Sequence, residues 1–138
     1  MGFLWRDSFS IGNAVIDSEH QQLFKLAQAF FDANDRLQQA DCAMQLMDST
    51  RQHFDHEERW MREISYPGMS EHVQQHNRLV QQFNDVAETI ALGTLDRSTL
   101  KSFLSAWLIG HMVTFDAKLS TYLQQDEEKR PATDLQAR

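Results

Sequence analysis

Apolar residues recur along this chain three and four positions apart, the period of a helix with one buried face, and they seldom alternate as they would in a strand. Gln, Leu, Ala, Met and Glu are common, and the few prolines and glycines fall between the periodic stretches. Residues 1–17 carry Phe3, Leu4, Trp5, Phe9, Ile11, Val15 and Ile16, with a turn at Gly12-Asn13, and read as an extended N-terminal arm. Asp17 or Ser18 then caps a first helix that continues to about Gln38, with Leu23, Phe24, Leu26, Ala27, Phe30 and Phe31 as its inner stripe. A second helix is expected from about Asp41 to Ile64, with Met44, Leu46, Met47, Phe54, Trp60 and Met61 as its apolar members and Tyr66-Pro67-Gly68 as the breaker. A third runs from about Ser70 to Leu92 with Gly93 as its C-terminal cap, and a fourth starts between Asp96 and Ser98 and continues through Tyr122. Short connections between long helices force neighbours to run antiparallel. The pattern therefore predicts an all-α, up-down-up-down four-helix bundle over residues 1–125. From Asp126 onward the chain turns polar, and 126–138 read as a solvated tail or the start of a linker.

Composition narrows the class of protein. A chain of 138 residues is the usual size of one domain and can bury a real core. Its net charge of −7 and pI near 5.2 argue against a nucleic-acid backbone as partner, which would need a basic face. The most apolar stretch, Phe103 to Ile109, is far short of the roughly 20 residues needed to cross a bilayer, so no membrane association is expected. The N-terminus lacks a basic start followed by a long apolar run, and Cys42 is the only cysteine, which excludes an internal disulfide. The expected compartment is the cytoplasm.

Chemistry enters with the histidines. Five of the six, His20, His53, His72, His76 and His111, fall in a pattern with Glu57 and Asp116 that could wrap two metal ions. Residues four apart on a helix are separated by about 40° around the axis, so His53/Glu57 and His72/His76 each form a pincer on one face. Each predicted helix supplies at least one donor, which is how a metal site in a bundle core is built. Seven nitrogen and oxygen donors exceed a tetrahedral zinc site and suit two octahedral irons sharing bridging carboxylates. His111 and Asp116 do not fit an ideal helix, because five residues amount to about 140° of rotation. Either the two irons lie across the bundle axis or a local π-type widening brings both inward. His56 is expected at the surface or behind a ligand, Glu58 facing solvent, and Asp17 either capping a helix or supporting a ligand histidine.

These residues resemble the hemerythrin family, in particular its bacterial branch, from Trp5 to about Leu123. Ile11-Gly-Asn-Ala-Val-Ile-Asp-Ser-Glu-His20-Gln-Gln-Leu-Phe24 is similar to the family's opening signature. His53-Phe-Asp-His-Glu57-Glu-Arg-Trp-Met61, Tyr66-Pro67 with His72 and His76, and Trp107-Leu-Ile-Gly-His111 with Asp116 are similar to its middle and end. Every ligand position of the family pattern is filled. The resemblance implies a non-haem diiron centre with an oxo or hydroxo bridge and no haem. One iron would be held by His72, His76 and His111 and the other by His20 and His53, with Glu57 and Asp116 bridging. It further implies that O2 binds at an open position on the two-histidine iron.

A ferritin-like oxidase site would use Glu-x-x-His pairs and more carboxylates, and no Glu-x-x-His occurs in this chain. The expected function is accordingly reversible O2 binding without catalysis, as a carrier, store or scavenger. Leu23, Phe24, Phe54, Trp107 and Leu108, each a turn or less from a candidate ligand, are the expected apolar lining of the O2 pocket. The alternative is an O2- or redox-sensing module of a larger signalling protein, with an attached signalling domain or partner. A diiron peroxidase or a nitric-oxide-handling enzyme is a third reading. The metal ligands do not separate the first two.

Overall fold

The computed structural model describes residues 5–129 of the chain. All regular structure there is helical: α1 spans Ala14–Asp32, α2 Arg36–Glu63 and α3 Met69–Leu92. A fourth rod begins as α4 (Arg97–Leu104), passes through two π-helical segments at Ser105–Ile109 and Met112–Asp116, and ends as α5 (Ala117–Lys129). The connections are only a few residues long, so successive rods run antiparallel. α2 packs on both α1 and α3, and α1 packs on α4, which closes the four-helix bundle.

Local chemistry sets the ends. Asn13, not Asp17 or Ser18, caps α1, its side chain accepting from the amides of Val15 and Ile16 at 3.0 and 3.1 Å. Asp17 is turned back on the arm, where its carboxylate accepts from the Ile11 amide at 2.9 Å and from the Ser10 hydroxyl. It supports no histidine. The first two helices are divided earlier than the sequence suggested, at residues 33–35. There Asp35 accepts from the Gln38 amide at 2.8 Å, while the Gln38 side chain reaches back to the Asn34 amide at 3.0 Å. Gly93 closes α3 as expected, in the left-handed conformation (φ 73°), with Thr94 N–H bonded to Thr89 C=O. Asp96 caps α4 through the Thr99 amide at 2.7 Å. At the other end, α5 carries helix through Lys129, past the expected boundary at Asp126; residues 130–138 of the expected tail lie outside the described residues.

The arm is less extended than its sequence implied. It holds a 3-10 turn at Asp7–Phe9, and Val15 and Ile16 belong to α1. Trp5 meets Phe24 edge-on and Phe9 stacks on Phe24 with ring centres 5.6 Å apart, so the arm covers one flank of α1. Phe3 and Leu4 lie outside the described residues. Met44, expected inside, is 64% exposed beside a groove of about 410 Å³ between α2 and α3, where Ala40, Ala87 and Ala91 leave space between the helices.

Two apolar clusters result. The larger includes Ala27, Phe30, Leu46, Phe83, Ile90, Leu100 and Leu104; the smaller is Ile11, Ile16, Met61 and Leu119. His20, His53 and His111 each lie between members of the two clusters along their own rods. The polar site is thus enclosed from both ends.

Candidate metal centre

Among the described residues, the buried polar or charged side chains are His20, His53, Glu57, His72, His76, His111, Asp116 and Thr50. Thr50 disposes of its hydroxyl on the Leu46 carbonyl at 2.7 Å, an ordinary bond to its own helix. The other seven converge in one layer of the bundle. His20 comes from α1, His53 and Glu57 from α2, His72 and His76 from α3, and His111 and Asp116 from the π-helical part of the fourth rod. The π segment at Met112–Asp116 resolves the spacing problem. Its i→i+5 hydrogen bonding brings residues five apart roughly one turn from each other, and His111 Nε2 stands 3.2 Å from Asp116 Oδ1.

The carboxylates divide their oxygens between two sets of imidazoles. Glu57 Oε1 lies 2.5 Å from His72 Nε2, 3.0 Å from His76 Nε2 and 3.9 Å from His111 Nε2. Its other oxygen, Oε2, lies 3.3 Å from His53 Nε2 and 3.8 Å from His20 Nε2. Asp116 repeats the division, with Oδ1 3.0 Å from His72 Nε2 and Oδ2 3.1 Å from His20 Nε2. Two groups of four donors therefore form, Glu57 with His72, His76 and His111, and Glu57 with Asp116, His20 and His53. In each, the donor atoms lie within 4.8 Å of one another.

Of these close approaches only His76 Nε2 to Glu57 Oε1, at 3.0 Å, is a hydrogen bond. The Nε2 atoms of His20, His53, His72 and His111, Glu57 Oε2 and both Asp116 oxygens are buried without a hydrogen-bond partner. Unpartnered buried polar atoms are individually costly, and so many directed at one point are what a cation would satisfy. The donor set, imidazole with two carboxylates, suits iron. Protonation compensates when no cation is present. Burial opposes charge on His53, but Glu19 and Glu57 outweigh it and raise its pKa to about 9. Burial likewise opposes charge on His111, where Asp116 and Glu57 raise the pKa to about 10. Glu57 and Asp116 are held below the usual carboxylate range by these imidazoles, against their own burial.

Two carboxylates behind the imidazoles were not read as part of the site. Glu19 Oε1 accepts from His53 Nδ1 at 3.1 Å, and its other oxygen from His56, which is half exposed. Glu58, expected to face solvent, instead accepts from His76 Nδ1 at 2.7 Å. A signal for Glu19 was present: one residue from His20 means about 100° around the helix, aimed at a neighbouring rod. No spacing rule within α2 points Glu58 at α3.

Beside the imidazoles of His20, His53 and His111 is a small cavity of about 10 Å³. That is room for about one small molecule. Leu23, Phe54, Trp107 and Leu108 line it, together with Leu79, Met112 and Thr50, which the sequence reading did not include. Phe24 is not among the lining residues and packs under Trp5 and Phe9. The Trp107 indole N–H is tied to the Leu79 carbonyl at 2.9 Å, so it presents carbon to the cavity.

None of the described helices is long and apolar enough to cross a membrane. The fold is shared with a solved crystal structure of a leucine-to-phenylalanine mutant protein, at a TM-score of 0.75 and 22% identity, over 84% of this chain and 93% of that one. Myohemerythrin of Riftia pachyptila is 32% identical over 117 residues, covering 84% of this chain and 89% of that protein. Bacteriohemerythrin of Stenotrophomonas maltophilia is 27% identical over 112 residues, covering 79% and 73%. The family model for the hemerythrin HHE cation binding domain matches residues 12–123, and the chain belongs to the hemerythrin family.

Proposed function

We propose that this protein binds O2 reversibly at a non-haem diiron centre and acts as an oxygen carrier, store or scavenger. His72, His76 and His111 would hold one iron and His20 and His53 the other, with Glu57 and Asp116 bridging. The observation that carries this reading is the division of both carboxylates, one oxygen toward each set of imidazoles. When bound, a reduced iron pair would supply the electrons and an open coordination position for O2.

The protein's own residues supply the rest. His20, His53 and His111 border the small cavity, so two of its three imidazoles come from the set with fewer, where the open side would lie. Leu23, Phe54 and Leu108 keep that side dry, and the Thr50 hydroxyl donates its proton to the backbone. The cavity has room for about one water-sized molecule and none for an organic substrate, which favours binding of a small ligand over oxidation of a second reactant.

The test is oxygen uptake by reduced, iron-loaded protein, followed with an oxygen electrode beside an iron assay. The reading predicts two irons per chain and one O2 per iron pair, released when the oxygen pressure falls. Continued oxygen consumption with a reducing substrate would instead identify an oxidase.

A further inference from the structure

Among the described residues, only two of the five buried imidazoles have a partner for the nitrogen that faces away from the centre. His53 Nδ1 donates to Glu19 and His76 Nδ1 to Glu58, whereas the Nδ1 atoms of His20, His72 and His111 are buried without one. The two that are tethered belong to different sets. His53 is in the group with His20, and His76 is in the group with His72 and His111. Both carboxylates sit at the boundary between cluster and solvent, their side chains 23% and 24% exposed. Glu19 is itself held from outside by His56.

We infer that Glu19 and Glu58 are positioning residues, each fixing one imidazole for a different iron. This rests on the diiron reading. A carboxylate accepting from Nδ1–H selects the tautomer whose Nε2 lone pair points at the centre, fixes the ring's rotation and strengthens the imidazole as a donor. Without the tether, the ring would have to be ordered and its tautomer selected as iron binds. Glu19 has the greater leverage, because His53 is one of only two imidazoles on its iron. His56 extends this tether to the surface by occupying the second Glu19 oxygen.

The experiment is chelator competition on reduced, iron-loaded protein. The iron lost at each step is identified by which Mössbauer quadrupole doublet disappears. Losing a hydrogen-bonded support behind a ligand typically costs about 10–100-fold in metal affinity. Glu19→Gln, which keeps the shape, should weaken one iron-binding step by about that factor, and Glu58→Gln the other. His56→Ala should weaken the same step as Glu19→Gln, but less. Glu88→Gln, an exposed carboxylate on α3, should change neither. Thermal unfolding of the metal-free variants checks that each still folds, and Glu19→Asp offers a second variant that keeps the charge. Unchanged affinities in both Gln variants, or the same step weakened by both, would overturn the inference while leaving the diiron centre standing. Failure of the unaltered protein to hold two irons would instead overturn the diiron reading itself.

Discussion

At the end of the bundle where α1 meets α2, Ala27, Phe30, Leu46, Phe83, Ile90, Leu100 and Leu104 pack together as an apolar cluster. Two turns along the same rods, His20, His53, His76 and His111 converge with three further polar side chains in a layer that is just as buried. The first region is stable by itself, since apolar area leaves water and rings interlock, as Phe30 and Phe83 do with centres 6.1 Å apart. The second acquires stability only when its charges are matched, by protons or by cations. One scaffold therefore carries a permanent core and a conditional one, and the conditional one is where function resides.

Iron removal should separate the two most strongly. A ligand that binds only the folded state stabilises it by about 4 kcal/mol per site when its free concentration exceeds Kd a thousandfold. Chelation should lower the unfolding midpoint markedly while helical circular dichroism persists, and an unchanged midpoint would mean that no cation supports this layer. Phe30→Ala should cost about 3–5 kcal/mol by chemical denaturation, with and without iron alike. A cost that depended on iron would couple the two regions more tightly than the packing implies.

Leu108→Gln places an amide in the small cavity and should cost about 1–3 kcal/mol for a buried unpaired polar group. Its sharper consequence is faster spontaneous oxidation of the oxygenated protein, followed optically. An unchanged rate would put Leu108 outside the protected side.

The pH dependence should change sign with iron. In metal-free protein, His53 and His111 hold protons up to about 9 and 10, against about 6.5 when unfolded. Their stabilisation is full below about 6.5 and is lost as pH rises through those folded values. Glu57 and Asp116, held low, contribute above about pH 4 and lose that contribution on acidification. Metal-free protein should therefore weaken between about pH 6.5 and 10. Iron-loaded protein, whose ligands must be deprotonated, should hold or gain stability over the same range. Parallel thermal melts at several pH values would show it. The smallest effect belongs to Asn13→Ala, which removes the α1 cap for about 1 kcal/mol, with or without iron.

Much of this was legible in the chain because it depends on spacing within one helix. Tyr66-Pro67-Gly68, Gly93 and Asp96 mark their ends through backbone chemistry local to those residues. The pincers His53/Glu57 and His72/His76 follow from helical geometry. The break at residues 33–35 was not legible, because no glycine or proline marks it. Asn34, Asp35 and Gln38 make it by hydrogen bonding that a helix interior could also tolerate. The partners of Glu19 and Glu58 lie on other rods, and the periodicity of one rod does not reveal its rotation against the next. Asp17 was misread for the opposite reason: a residue suited to capping was used to anchor the arm.

The most direct test of the central claim is the visible spectrum of anaerobically reduced, iron-loaded protein before oxygen, in oxygen and after purging. The account predicts a charge-transfer band that appears with oxygen and disappears on purging, over repeated cycles. Direct passage to an oxidised spectrum that purging does not reverse would contradict reversible oxygen binding. The absence of any iron-dependent spectrum would contradict the metal centre itself.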